Sequence, residues 1–197
     1  MSDSNRNSTS WVGLFFNAFT AFLHIQKGDS GSKKTVRVSG AVLKRGIFLA
    51  LDYWVTAVEA VFSVWLYANL PLTGTALLVT IFLSLWVFEI VVALFFIIQW
   101  RITGIDITLS EDWRRAIDVI SEGSKRVGTV AYWLKILKAV IWDGPEEIVI
   151  FCHKELRSIY KISLVLLGVT TFQAAFWGGT FIGMYEFVVQ PIISYLW

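Results

Sequence analysis

Three long stretches of the chain are apolar at almost every position and lack the regular polar alternation of a soluble amphipathic helix. They cover residues 46–69, 74–100 and 162–185. A helix needs about 20 apolar residues to cross the roughly 30 Å of hydrocarbon in a bilayer, so the pattern predicts three transmembrane helices. Pro71 and Gly74 interrupt the chain between the first two stretches. This predicts a tight helical hairpin followed by one further span.

A shorter apolar segment precedes the first span and has helical periodicity. At 100° per residue its large apolar side chains fall on one broad face and its polar side chains on the other. The apolar face includes Trp11, Phe15, Phe19 and Phe22, and Ser10 is a candidate N-cap. The segment predicts an amphipathic helix that lies in the plane of the membrane surface.

The next residues, 28–40, are rich in glycine, serine, lysine and arginine. This composition predicts a flexible basic linker that is suited to anionic lipid headgroups. The amphipathic helix and the linker together form the first of four expected segments, residues 1–45. The other three are the hairpin, 46–100, a cytosolic helical segment, 101–161, and the third span with an interfacial tail, 162–197.

The segment 101–161 predicts further helices outside the membrane. Thr108 and Glu111 have the spacing of a capping box, which places a helix at about residues 109–122. Residues 128–142 gather large apolar side chains on one face of a helix, which we expect to lie on the membrane surface. Pro145 then suits the first position of a helix that continues into the third span.

An alternative topology makes residues 128–151 a fourth crossing. The charged residues that it would bury are Lys135, Lys138, Glu146 and Glu147. On an amphipathic helix, by contrast, both lysines turn away from the apolar face. An ionised side chain at the centre of a membrane helix costs about 2.5–3.5 kcal/mol, and the Asp-Gly-Pro sequence at 143–145 interrupts the helix. We therefore favour three spans.

Charge sets the expected orientation. All 17 lysines and arginines lie either before the first span, seven of them, or between the second and third spans, ten of them. Basic residues are enriched in cytoplasmic loops, so the N-terminus and the long middle segment are expected in the cytoplasm and the C-terminus outside. Hydrophobic residues make up 56% of the chain and the mean hydropathy is +0.64, which also favours an all-α, multi-pass integral membrane protein.

The first span carries polar residues in a regular pattern. Asp52, Thr56, Glu59 and Ser63 recur every three or four residues and share one side of the helix. Ten Leu, Ile, Val and Phe residues favour insertion of this span by about 3–6 kcal/mol, while two ionised acids near its centre oppose insertion by about 5–7 kcal/mol. The polar stripe must therefore face protein or water, or hold protons.

The second span carries one acid, Glu89, at a depth between Asp52 and Glu59. Its Thr and Ser residues occupy a different side of the helix from Glu89. We expect the Thr and Ser side to meet the first span, and Glu89 to face another helix or another chain. No Lys, Arg or His lies within a predicted span to neutralise these acids.

The third span presents a stripe of small residues. Thr171, Ala175, Gly179 and Gly183 recur at every fourth position. Small residues allow close approach of two helix backbones in a membrane, so the stripe predicts a helix-packing face.

The sequence contains no recognisable catalytic motif. The sequence has no nucleotide-binding loop, no metal-ligand spacing and no group of residues typical of a catalytic nucleophile. We expect the single cysteine, Cys152, to have a structural role. We expect no cofactor, no metal and no nucleic-acid partner. The leading hypothesis is a non-enzymatic membrane protein that assembles with itself or with another membrane protein, and its alternative is an oligomer that conducts protons or cations through the intramembrane carboxylates.

The charge distribution makes the topology testable. Cysteines placed at Thr73 and Ser194 should react with a membrane-impermeant thiol reagent added outside, because both positions belong to regions without basic residues. A cysteine at Ser124 should be protected. Labelling of Ser124 from outside would contradict the three-span topology.

Overall fold

The computed structural model describes residues 11–26 and 28–196, with Leu196 described by its backbone alone. The described chain consists of helices joined by short turns, without a β-strand. The predicted cap at Ser10 lies outside the described residues.

Eight α-helices and two π-helical segments make up the described chain. They are α1 Trp11–Phe22, α2 Gly31–Asn69, α3 Gly74–Thr103, α4 Ser110–Gly123, α5 Lys125–Lys138, π1 Ala139–Asp143, α6 Pro145–Phe151, α7 Ile159–Met184, π2 Tyr185–Val189 and α8 Gln190–Leu196. Three of them, α2, α3 and the helix that begins with α7, are long and apolar enough to cross a membrane, as the hydrophobic pattern predicts.

Helix α2 begins far earlier than the predicted first span. The prediction of a flexible linker over residues 28–40 is wrong, because the chain is helical from Gly31. Extending an existing helix adds a backbone hydrogen bond for each residue that is fixed, and Lys and Arg are good helix formers. Arg37 also forms an ion pair of 3.3 Å with Asp29 beside the helix start. The expected boundary between residues 45 and 46 therefore lies inside one helix.

Two apolar clusters hold α3 against α7. The first contains Leu85 and Ala174, with Leu66 of α2, and the second contains Ala93, Ile97 and Leu166 together with Val149 of α6. These pairs show that α3 and α7 run antiparallel along most of their length. The bundle core is therefore built from α2, α3, α6 and α7.

A different face of α7 packs in the bundle from the one that the small-residue stripe predicts. Thr170 and Ala174 are buried, and a Cβ atom added at Gly178 would lie 2.9 Å from a methyl carbon of Leu85. The predicted stripe is one position further along at each turn and faces outward. Its four residues, Thr171, Ala175, Gly179 and Gly183, are exposed or half-buried.

Helix α1 packs against α4. Leu14 and Ala18 are buried between them, and the rings of Phe22 and Trp113 meet at 5.2 Å. Trp11, Phe15 and Phe19 remain exposed. The apolar face of α1 is thus divided between a protein contact and an open surface.

The start of α4 differs from the predicted capping box. The carboxylate of Asp106 accepts hydrogen bonds from the backbone N–H groups of Thr108 and Glu111, at 2.9 and 2.7 Å. In the first turn, the N–H of Glu111 is therefore satisfied by Asp106, and that of Ser110 donates to the hydroxyl of Thr108 at 3.3 Å.

Helices α5 and α6, with π1 between them, form a short hairpin inserted among the long helices. The side chain of Gln173 donates to the carbonyl of Ala139 at 3.4 Å, and that of Trp177 donates to the carbonyl of Ile141 at 3.0 Å. Gln173 is fourteen residues beyond the first residue of α7, or about 21 Å along the helix axis. The tip of the hairpin therefore lies beside the middle of α7.

This arrangement corrects both interpretations of residues 128–151. The segment neither lies flat outside the long helices nor forms one continuous crossing, because the chain reverses at Gly144, whose φ of 111° favours glycine. The polar face of α5, with Lys135, is buried, while apolar residues such as Trp133 and Leu134 are exposed. Nor does the helix from Pro145 continue into the third span, since α6 ends at Phe151.

Close packing of α7 on α3 predicts a difference between two glycine substitutions. Gly178→Leu should lower the free energy of unfolding by about 1–3 kcal/mol, because the new side chain must displace Leu85. Gly168→Leu is the matched control, since a Cβ atom there has open space. Thermal unfolding in mild detergent measures both, and equal effects would contradict the α3–α7 contact.

Candidate functional site: a carboxylate cavity inside the helical bundle

Four carboxylates from three helices line one cavity of about 280 Å³. They are Asp52 and Glu59 from α2, Glu89 from α3 and Glu146 from α6. The polar groups of Thr56 and Gln173 also lie in its wall. A fifth carboxylate, that of Asp143 at the hairpin tip, lines the cavity as well but is paired with Lys135 and Lys138. The cavity is therefore a partly open pocket that gathers carboxylates within a predominantly apolar bundle.

The α2 side of the cavity follows from helical spacing. Asp52, Thr56 and Glu59 lie one turn apart on the same face, and all three line the cavity, as the sequence pattern predicts. The Thr56 hydroxyl donates to the carbonyl of Asp52 at 2.9 Å. Ser63 continues the stripe but is fully buried beyond the cavity, where its hydroxyl donates to the carbonyl of Glu59 at 2.6 Å.

Glu89 faces the same cavity as the α2 acids, so the expectation that it faces another helix or chain is wrong. Helices α2 and α3 touch on either side of the cavity, through Phe48 with Phe96 and in the cluster of Leu66 with Leu77. Between these contacts the α5–α6 tip lies beside both helices. The helical wheel assumed that α2 and α3 contact each other directly. It could not show that the α5–α6 tip would border the same space as both helices.

The tip of the α5–α6 hairpin supplies the fourth carboxylate. Glu146 is buried, and its carboxylate lies so close to Gly144 that a Cβ atom there would be 2.5 Å from an oxygen. Burial, together with the smaller effect of the negative charges of Glu89 and Asp52, raises the pKa of Glu146 to about 8. Gly144 is thus required both for the backbone turn and for the space that Glu146 occupies.

A buried ion cluster holds the hairpin closed beside the cavity. Lys135 contacts Asp143 at 3.2 Å and also pairs with Glu147, and Lys138 pairs with Asp143. Burial lowers the pKa of Lys135 to about 8, and the nearby Asp143 opposes this shift. The side chain of Lys138 is 50% exposed. The cluster therefore connects the cavity residue Asp143 to the surface of the molecule.

Gln173 is an unusual member of the cavity wall. It is only 2% exposed, and its side-chain carbonyl oxygen has no hydrogen-bond partner among the described residues. A buried amide oxygen without a partner costs about 1–3 kcal/mol.

No ion pair neutralises Asp52, Glu59, Glu89 or Glu146 among the residues that the structure describes. Arg45, which is closest along α2, lies over the ring of Phe48 at 5.4 Å. Four ionised carboxylates around one small cavity would repel one another strongly in a medium of low dielectric constant. Protons, water or cations must offset that repulsion.

Sequence reasoning missed Glu146 and Gln173 as parts of this site. The sequence places Glu146 in the first turn of a helix that is expected to continue into the third span, and it does not single out Gln173. The available signal was the Asp-Gly-Pro-Glu-Glu sequence at 143–147 directly after an apolar helix, because a reversal there returns its acids toward the hydrophobic region.

Other residues that the sequence analysis singled out lie outside the carboxylate cavity. The candidate membrane-surface residue Phe22 contacts Trp113, whereas Trp11, Phe15 and Phe19 are exposed on α1. Cys152 is buried, and its sulfur lies 3.2 Å from the hydroxyl of Tyr132. His24 lies 2.6 Å from a carboxylate oxygen of Asp112.

Comparison of the chain with models of protein families, with characterised proteins and with solved structures finds no match.

The buried Glu146 predicts a pH-dependent stability. A carboxyl group whose pKa is raised on folding stabilises the protein below its ordinary pKa of 4.5, and this contribution is lost as the pH rises toward 8. The melting temperature in detergent should therefore fall between pH 4.5 and 8, and Glu146→Gln should flatten the decline. Glu122→Gln, at an exposed position of α4, is the control and should keep the wild-type profile.

Proposed function

We propose that this chain is a multi-pass membrane protein that binds and transfers protons through its carboxylate cavity. The observation that carries the proposal is the convergence of Asp52, Glu59, Glu89 and Glu146 on one cavity beside the middle of a membrane-length helix. Ionisable residues at such depth are costly, and their usual use in membrane proteins is in ion pathways and proton relays. The structure thus gives more support to the conducting alternative than the sequence alone did.

Protons suit the cavity better than a directly bound metal ion. Metal binding needs several ligand atoms at about 2.0–2.6 Å from a common point. No three His, Cys, Asp or Glu residues in the described chain are grouped closely enough for this. A proton needs only one carboxylate at a time, and water molecules in a cavity of this size can connect carboxylates that are further apart.

Access to the cavity differs between its two sides. On the side of the basic residues, the half-exposed Lys138 pairs with Asp143 in the cavity wall. On the other side, an apolar cluster that includes Leu66, Leu77 and Ile81 lies beyond Ser63. We infer that protons exchange with the basic side in this conformation, which the charge distribution assigns to the cytoplasm.

For protons to reach the opposite side of the membrane, the apolar cluster of Leu66, Leu77 and Ile81 must open. Beyond it, the Tyr67 hydroxyl donates to the carboxylate of Glu186 in π2, next to the contact between the rings of Tyr67 and Tyr185. π-Helical segments occur frequently at functional sites. We infer that Glu59 and Glu186 are the proton-binding groups on either side of the cluster, and that separation of α2 from α3 at the cluster connects them.

Assembly through α7 is the second candidate function. The predicted packing face of Thr171, Ala175, Gly179 and Gly183 faces outward, and Cβ atoms added at Gly179 or Gly183 would have no neighbour within 4 Å. A helix of another chain can therefore approach this face closely. The mass of the native assembly in mild detergent distinguishes a single chain from a homo-oligomer or a complex with another membrane protein.

The proton proposal predicts loss of transport after a nearly isosteric change. Glu59→Gln keeps the size and polarity of the side chain but removes its exchangeable proton, so proton flux into proteoliposomes should fall at least about tenfold. A pH-sensitive dye inside the vesicles measures the flux, and Glu122→Gln is the control at an exposed position. Wild-type protein without flux above that of empty vesicles, or Glu59→Gln with wild-type flux, would contradict the proposal.

A further inference from the structure

A second and larger cavity lies outside the carboxylate site, as an open groove of about 830 Å³ between α1, α2, α4 and α5. Its volume lies within the range of about 300–1,000 Å³ that is typical of ligand pockets. The groove follows α2 from Val38 to Leu49, or about 16 Å along the helix. It therefore has the length to hold an extended apolar chain.

The walls of the groove are almost wholly apolar. Phe19 and Phe22 contribute from α1, Trp113 and Ile117 from α4, and Leu134 from α5. Phe19, Trp113 and Leu134 are also among the exposed large hydrophobic residues, so the groove is open at its surface. Open aromatic and aliphatic walls at the end of a membrane-length helix favour a lipid chain, because aromatic residues are enriched at the level of the headgroups.

The charged residues of the groove all have the same sign. Arg45, Lys135 and Lys138 line it, and no acidic residue does. Lys135 and Lys138 are paired with acids behind the wall, whereas Arg45 has no ion pair among the described residues. Arg45 lies one residue before the predicted first span, at the level where a lipid phosphate is expected. An apolar groove with an uncompensated cation is complementary to an anionic amphiphile.

We propose that this groove binds one anionic phospholipid of the leaflet on the basic side, with an acyl chain against the Phe19, Trp113 and Leu134 wall and the phosphate at Arg45. The lipid would fill the space that the four helices leave open and would join the α1–α4 pair to α2 and α5. This site is separate from the carboxylate cavity and does not depend on the proton proposal.

Two pairs of matched substitutions test the charged and the apolar parts of the groove. Arg45→Gln removes the cation, and Lys44→Gln removes a neighbouring charge that does not line the groove. Gly46→Leu places a side chain into the groove from a position where a Cβ atom has open space, and Gly40→Leu makes the same change in α2 outside the groove. Gel filtration checks that each variant remains folded.

The measurement is the lipid retained by full-length protein after purification from membranes that contain equal parts of phosphatidylglycerol and phosphatidylcholine. Wild-type protein should retain phosphatidylglycerol in excess. Arg45→Gln should reduce this excess about fivefold, which corresponds to about 1 kcal/mol for each basic residue near a lipid surface. Gly46→Leu should reduce retention of both lipids, and the two controls should match wild type. Equal retention of the two lipids by wild-type protein, or equal losses in groove and control variants, would overturn the proposal.

Discussion

The buried ion cluster of the α5–α6 hairpin is the interaction on which the rest of the structure depends. Lys135 is enclosed with Asp143 and Glu147, so two acids and one amine leave water together. Breaking such a pair by removing one partner typically costs about 3–5 kcal/mol, because the other charge remains buried. The cluster therefore holds the hairpin closed, and the bonds from Gln173 and Trp177 to the carbonyls of Ala139 and Ile141 hold its tip beside α7.

The position of the tip explains the cavity. The hairpin tip lies beside α2 and α3, between the contact of Phe48 with Phe96 and the cluster of Leu66 with Leu77. Glu59 and Glu89 then face a shared space, and Glu146 enters it from the tip. An ionised acid that faced lipid would be very costly. A pocket that can hold water and protons reduces the cost of burying these carboxyl groups.

The same hairpin also creates the groove on its other side. Its polar face turns toward the acids of the tip, so the apolar side chains of α5 such as Leu134 are left facing outward toward α1 and α4. A helix that lay on the membrane surface would have turned that apolar face to lipid and left no enclosed space. The burial of Lys135 is thus linked both to the carboxylate cavity and to the groove of the proposed lipid site.

The sequence by itself determined the helical class, the three membrane-length helices, the break between the first two and the shared face of Asp52, Thr56 and Glu59. These features follow from hydrophobic length and the 3.6-residue period, which are properties of one helix at a time. Tertiary structure alone decided that Glu89, Glu146 and Gln173 join that face, and that Gly178 rather than Gly179 packs against α3. These outcomes depend on where the α5–α6 hairpin lies between other helices, and a periodicity within one segment carries no information about which neighbour its face will meet.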